Sequence, residues 1–273
     1  MRVLDSPSRR RTATLSVLLA DALPVAGLVA FGWRPVQALF VAWLTVGATL
    51  LATLALVAFG QRESRPNRKT GGTYPGAVPL PVPAASVRPL RSLPPLRLRN
   101  LRYVPAAIPL VALVWLVLSR AFLEFPMAST AVGGRPDLGT LLGHVAAAAT
   151  PAGLALAALA AALQWVTIGR DFLAAGLVEG YSAAMLQELP LRIAAVWFVV
   201  LLALFPAYAG TVLLDPSPAL VEWGFFSVLL ATTVGVDLAL VRARYDPDPG
   251  VVTGLFVPNR RPSEPRSQAD GVA

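Results

Sequence analysis

The chain contains no cysteine, so no disulfide can brace it and no thiol can act as nucleophile or metal ligand. It carries a single histidine, His144, and a single lysine against 22 arginines. Any zinc site would have to be completed by carboxylates, and the sequence assigns no metal, no cofactor and no catalytic residue. Charge is scarce too: 14% of the residues are charged, against roughly one quarter in a soluble domain. Several chemistries lack their motifs. Gly180, Tyr181 and Ser182 form half of a nucleophile elbow, but Ala184 stands where the second glycine is needed and the only histidine precedes the serine. Neither a glycine-rich phosphate loop nor the glutamate and histidine pairs of membrane metalloproteases occur, so the chain is expected not to be an enzyme of these kinds.

Apolar residues are abundant, at 56% of the chain. They gather into six stretches, Ala13–Gly32, Val36–Phe59, Tyr103–Phe122, Leu138–Ile168, Leu189–Leu214 and Leu220–Val241. Most reach the ~20 residues that cross ~30 Å of hydrocarbon. VALVWLVL from Val111, ALAALAAAL from Ala155 and VWFVVLLALF from Val196 are apolar all round, with no stripe left for water. These runs predict an all-α, polytopic transmembrane helical bundle of about six spans. The first run follows SRRRTATL, yet Asp21 interrupts its apolar core, so it is expected to stay as a span and not to be removed as a signal.

The net charge of +8 points to topology once the positions are read. With the N-terminus inside and six crossings, 20 basic residues fall on the inner side, and only Arg34, Arg120 and Arg135 fall outside. This predicts a multi-pass cell-membrane protein with both termini cytoplasmic. Anionic lipid headgroups are the expected partners of the basic inner loop, nucleic acid is not, and a homo-oligomer or a membrane partner is allowed for.

Composition also divides the chain. Residues 1–60 form an N-terminal transmembrane hairpin that turns at Gly32, Trp33, Arg34 and Pro35. Residues 61–102, with TYPGAVPLPVP and RPLRSLPPLRLRN, read as a disordered Pro/Arg-rich cytoplasmic linker. Residues 103–241 form a four-span bundle, with an interfacial helix near 169–188, where Arg170, Asp171, Glu179 and Glu188 make a poor span. The tail, 242–273, reads as disordered. The fourth run is too long for one perpendicular crossing and is expected to tilt or to bend at Pro151. Gly139 and Gly143, at small-xxx-small spacing, place it near the bundle centre.

Ionisable groups inside lipid cost a few kcal/mol each, so each is a functional candidate. Asp21 and Asp237 lie toward the inner ends of spans one and six, and Arg192 opens span five on the same side. The three are expected to meet, either as an ion-pair clamp or as the lining of an inner-leaflet vestibule. Near the outer side Arg120 and Glu124 stand four apart, with His144 about two turns into span four. Pro24, Pro151 and Pro206 could each break a span, as transporters break helices around their substrates.

The stretch LADALPVAGLVAFGW, with Pro24, Gly27 and Trp33, and FVAWLTVG around Trp43 resemble the N-terminal hairpin of a haloarchaeal family of uncharacterised multi-pass membrane proteins, a domain of unknown function. PLRIAAVWFVV around Arg192 and VLLATTVGVDLAL around Asp237 are similar to that family's closing spans. The family tends to carry asparagine where Asp21 stands and glutamate where Thr45 stands. It also carries a histidine soon after the match to Arg192 and a lysine shortly before the match to Asp237, both missing here. The resemblance implies an integral protein of the cell envelope and no reaction. Three functions follow as expectations: a non-enzymatic scaffold or accessory membrane component; a small-solute or ion transporter using Asp21, Asp237 and Arg192; and a lipid-modifying enzyme using Glu124 and His144.

Overall fold

A computed structural model describes residues 7–64, 77–91, 93–126, 138–214, 216–246 and 250–257. Six long apolar helices form the bundle: α1 (Pro7–Phe31), α2 (Pro35–Leu56), α3 (Val104–Ser119), α5 (Pro151–Gly169), α6 (Ala183–Leu214) and α7 (Pro218–Tyr245). With their short 3-10 and π extensions, all six are long and apolar enough to cross a membrane. Two short helices complete the set, α4 (Leu138–Ala148) and α8 (Val251–Gly254).

Proline sets several of the starts. Pro35, Pro151 and Pro218 each open a helix, where the missing N–H leaves no bond unmade. Pro151 also splits the fourth apolar run in two, because the chain leaves α4, turns through Ala149 and Thr150, and starts α5 afresh. The Thr150 hydroxyl caps that start by accepting from Gly153 N–H at 3.1 Å. Pro24 and Pro206, by contrast, sit inside unbroken helices. Between α1 and α2, Gly32 takes φ +63°, and the Trp33 ring folds onto Gly27, where any Cβ would overlap the indole.

The centre of the bundle is α2, not the fourth run. In the most apolar stretch of α2 78% of residues are buried, against 22% for α6 and 33% for α5. It touches α1, α3, α5, α6 and α7. Gly139 and Gly143, expected at a packed face, lie exposed on α4, with nothing within 4 Å of a Cβ on Gly143. The small residue that admits a close neighbour is Gly47, which faces the Trp115 ring.

That contact belongs to a reciprocal lock between α2 and α3. Trp43 and Trp115 stack with centroids 4.6 Å apart and planes 8° apart. Each indole N–H donates to the other residue's backbone carbonyl, Trp43 Nε1 to Trp115 O at 3.0 Å and Trp115 Nε1 to Trp43 O at 3.1 Å. Trp165 of α5 repeats the device, donating to Ala48 O at 3.0 Å. An indole N–H inside an apolar bundle needs such an acceptor, and a helix carbonyl has a second lone pair to offer.

One end of the bundle gathers most of the described arginines and is called the basic end. There Arg62 N–H donates to Tyr181 O at 3.0 Å, and Arg62 and Ser182 form an isolated β-bridge. The Pro/Arg-rich segment, expected to lack structure, folds over this end wherever it is described. Its strands β1 (Ser86–Val87) and β2 (Leu96–Arg97) pair antiparallel. The buried Asn100 donates to Gly60 O at 2.8 Å, and Gln61 Nε2 donates to Pro95 O at 2.8 Å. Prolines supply carbonyls without amide protons, and these two carboxamides provide the missing donors. Residues 65–76 and Ser92 of that segment lie outside the described residues.

Residues 169–188 do not form a separate interfacial helix. They comprise a π-turn ending α5 (Arg170–Ala174), a left-handed Gly176, a 3-10 turn (Leu177–Gly180) and the first residues of α6. The tail is also more ordered at its start than expected. Helix α7 runs on to Tyr245, Phe256 is buried in the core, and 258–273 lies outside the described residues.

Gly47→Val is expected to force the Trp43–Trp115 stack apart and to destabilise the bundle by about 1–3 kcal/mol. Thermal unfolding in detergent measures this, and Gly143→Val, at an open position, is the control expected to change little.

Candidate functional site

Asp21 faces the bundle interior because α1 buries Ala13, Val17, Ala20, Asp21, Pro24 and Gly27, a stripe at helical spacing turned toward α5 and α7. Asp237 lies on the buried face of α7, eight residues before its end. The two carboxyls face one another where α1 packs on α7. Gln164 of α5 closes the group by donating from Nε2 to Asp237 Oδ2 at 2.5 Å. Asp21, Asp237 and Gln164 are 5%, 5% and 2% exposed, so water does not solvate them.

Asp21 is the least satisfied member of the group. Neither of its oxygens receives a hydrogen bond from a described donor. Pro24 adds to the deficit, since it has no N–H to give the Ala20 carbonyl one turn earlier, beside Asp21. Acceptors therefore outnumber donors at this point of the bundle.

A second polar tier lies two turns nearer the basic end. Arg244 Nη1 donates to Asp171 Oδ2 at 3.1 Å, and Arg170 donates from Nε and Nη2 to Asp171 Oδ1 at 3.2 and 3.1 Å. The Arg244 and Asp171 side chains are 6% and 2% exposed. Arg244 also stacks over the Phe172 ring at 5.4 Å. Gln164 pairs with Asp237 and Asp171 with Arg244 at one chain separation, 73 residues. Both α5 and α7 thus present a polar residue, then another seven positions on, about 10.5 Å along parallel axes. The Arg244 guanidinium acts electrostatically on Asp237, which joins the two tiers.

Arg192, expected beside the two aspartates, is elsewhere. Its Nη2 donates to Glu188 Oε2 at 3.0 Å, and its Nη1 to the carbonyls of Leu255 and Val257 at 3.2 and 2.9 Å. The reason is adjacency: α6 packs on α2 and α3, whereas α1, which carries Asp21, packs on α2, α5 and α7. The base near Asp237 is Arg244, which the sequence reading left in the tail. Gln164 and Asp171 also went unassigned to the site, although a glutamine alone in an alanine and leucine run, seven residues before an aspartate, was a signal for both.

At the opposite end Arg120 Nη1 donates to Glu124 Oε2 at 2.6 Å, as their spacing implies. This pair lies in a π-turn, Arg120–Glu124, that extends α3 and packs against α4. Glu124 Oε1 and His144 Nδ1 are each enclosed without a partner among the described residues, and no group of three metal-ligating side chains occurs among those residues. Glu222 was not anticipated: it accepts from Arg34 Nη2 at 3.0 Å and from Val36 N–H at 3.4 Å, at the N-terminus of α2.

The geometry defines a bundle of six long apolar helices with two tiers of buried polar side chains between α1, α5 and α7. Set against family models, curated proteins and solved structures, the chain matches none.

Arg244→Gln removes one side of a buried pair and is expected to destabilise the protein by about 3–5 kcal/mol. The double variant Arg244→Gln/Asp171→Asn is expected to lose less than the two single losses added, because it leaves no uncompensated charge. A double-mutant cycle on thermal or steric-trap unfolding reads the coupling.

Proposed function

We propose that the chain is a multi-pass integral membrane protein of the cell membrane, with its basic end cytoplasmic, that handles a small cation through Asp21 and Asp237 as an ion transporter. The burial of Asp21, against a second carboxyl and with no donor on either oxygen, carries this reading. A charged carboxyl so placed is stable only with a positive partner, and no described residue supplies one to Asp21. The site lies between three helices, where relative movement of α1 could open it to one side. Arg192 has no part in it.

The membrane setting is supported by the six apolar helices and by large side chains turned outward, among them Leu113, Leu116, Phe198, Val199 and Leu202. The orientation rests on the arginine partition. The likeness of the first and last two spans to the haloarchaeal family belongs to the same proposal and adds a location, not a reaction. An accessory role is the second reading. Gly139 and Gly143 lie exposed on α4, so a helix approaching closely there would have to come from another chain.

Two measurements test this. A cysteine introduced at the exposed Ser86 has no native thiol to compete with; it should resist an impermeant thiol reagent in intact cells and react once they are opened. Reaction in intact cells reverses the orientation. Reconstituted vesicles under imposed pH, sodium and potassium gradients should show cation flux above that of empty vesicles, and Asp21→Asn and Asp237→Asn should each return it to that level. Wild-type vesicles as tight as empty ones under all three gradients would leave the accessory role.

A further inference from the structure

We propose that the cation held by the Asp21–Asp237 pair is a proton, shared between the two carboxyls and exchanged with the basic end past Arg244 and Asp171. The inference deepens the transport reading, on which it rests for its physiological meaning. As a binding site, however, it stands on the local chemistry.

The donors decide between a proton and a metal cation. Asp237 Oδ2 already accepts an amide N–H from Gln164 at 2.5 Å, which turns the positive end of a dipole toward the space a metal ion would occupy. Sodium or a divalent ion is held by a shell of about six or more oxygens. The described residues offer the Asp21 carboxyl, the remaining Asp237 oxygen, the Gln164 Oε1 and the Ala20 carbonyl to which Pro24 gives no N–H, which is still short of such a shell. Around Gln164 and Asp237 the helices α5 and α7 run unbroken, so their backbones contribute no further carbonyl. A proton needs two oxygens, and a carboxyl donating to a carboxylate satisfies both groups at once.

Charge balance agrees. In the two tiers, three carboxyls, Asp21, Asp171 and Asp237, face two guanidiniums, Arg170 and Arg244. One negative charge is left over in a dry environment, and one proton cancels it. Among the described residues the further titratable group at these tiers is Tyr245, which lies near Asp171. Helix α2 has none, the remaining ionisable residues of α1 are Arg9, Arg10 and Arg11 in its first turn and a half, and α5 itself has none before Arg170. From α7 come Arg242 and Tyr245 at the basic end and Glu222 at the far end, held by Arg34.

The exchange route follows from the same geometry. Arg244 is bound to Asp171 and lies two turns from Asp237 toward the basic end, so a movement of its side chain out of that pair would open Asp237 to that end. No bond other than O–H is made or broken: the proton arrives from water at that end and leaves the same way.

Infrared difference spectra between acid and alkaline pH, taken on reconstituted full-length protein, test the inference. A protonated-carboxyl carbonyl band is expected in the wild type and is expected to vanish in both Asp21→Asn and Asp237→Asn. Arg244→Gln should keep the band and change the rate at which it appears after a pH jump. At fixed pH, replacing choline chloride by sodium chloride should leave the band in place. A band unaltered in both aspartate variants, no such band in the wild type, or its erasure by sodium overturns the proposal. The wild-type spectra need no variant to fold. A flux driven by sodium and blocked by Asp21→Asn would refute the proton while sparing transport; a shared proton in vesicles that pass no ion would refute transport while sparing the proton.

Discussion

Inside a bundle this apolar there is no water to complete a hydrogen bond, so each buried polar group must find its partner within the chain. Most do, by local means. Thr45, Thr53, Thr167 and Thr233 each turn the hydroxyl back onto the carbonyl four residues earlier. The tryptophans of α2, α3 and α5 donate to carbonyls of neighbouring helices. Gln187, fully buried, donates to Tyr103 O at 2.6 Å and so ties α6 to the start of α3. Asp21 stands apart in that both oxygens of one buried carboxyl lack a donor among the described residues.

The same constraint explains why α2 is the hub. It has no ionisable side chain, and Thr45 and Thr53 bond back to carbonyls of their own helix, so it can be buried on every side at little electrostatic cost. Five helices then pack around it and turn their larger apolar residues outward. Polar chemistry is displaced to the seams between the outer helices. The α1, α5 and α7 seam is where two tiers of it line up, because α5 and α7 run parallel and keep one register over seven residues.

The number of long apolar helices was legible because uniform runs such as VALVWLVL have no other use. The meeting of Asp21 with Asp237 was legible too, from equal depth on one side. Depth does not give neighbours, however, and so the sequence put Arg192 where Arg244 belongs. Which helices touch depends on packing across the bundle, and nothing in Arg192 itself reports that α6 sits against α3. The Pro/Arg-rich segment failed differently. Composition measures what a segment can bury alone, whereas this one is held by Asn100 and Gln61 against carbonyls of the bundle end. At Pro151 a bend was foreseen, and the complete break came from Thr150, whose cap stabilises a new helix start.

Two acidic residues of the bundle show how place determines use. Glu222 sits at the N-terminus of α2, where a backbone N–H and the positive end of the helix dipole receive it and Arg34, 57% exposed, adds a pair worth little on its own. Every part of that arrangement is a donor or a positive charge set against the Glu222 carboxylate. Asp21 has no helix terminus, no amide and no guanidinium on its oxygens, only a second carboxyl opposite. A fixed charge there would be repelled by its neighbour and stripped of water. On the reading proposed above the favoured state carries something removable, and its way out lies toward a buried arginine already anchored to another aspartate. On that reading the difference separates a clamp from a site: Glu222 is answered by Arg34 and a backbone amide, while neither oxygen of Asp21 has a donor among the described residues.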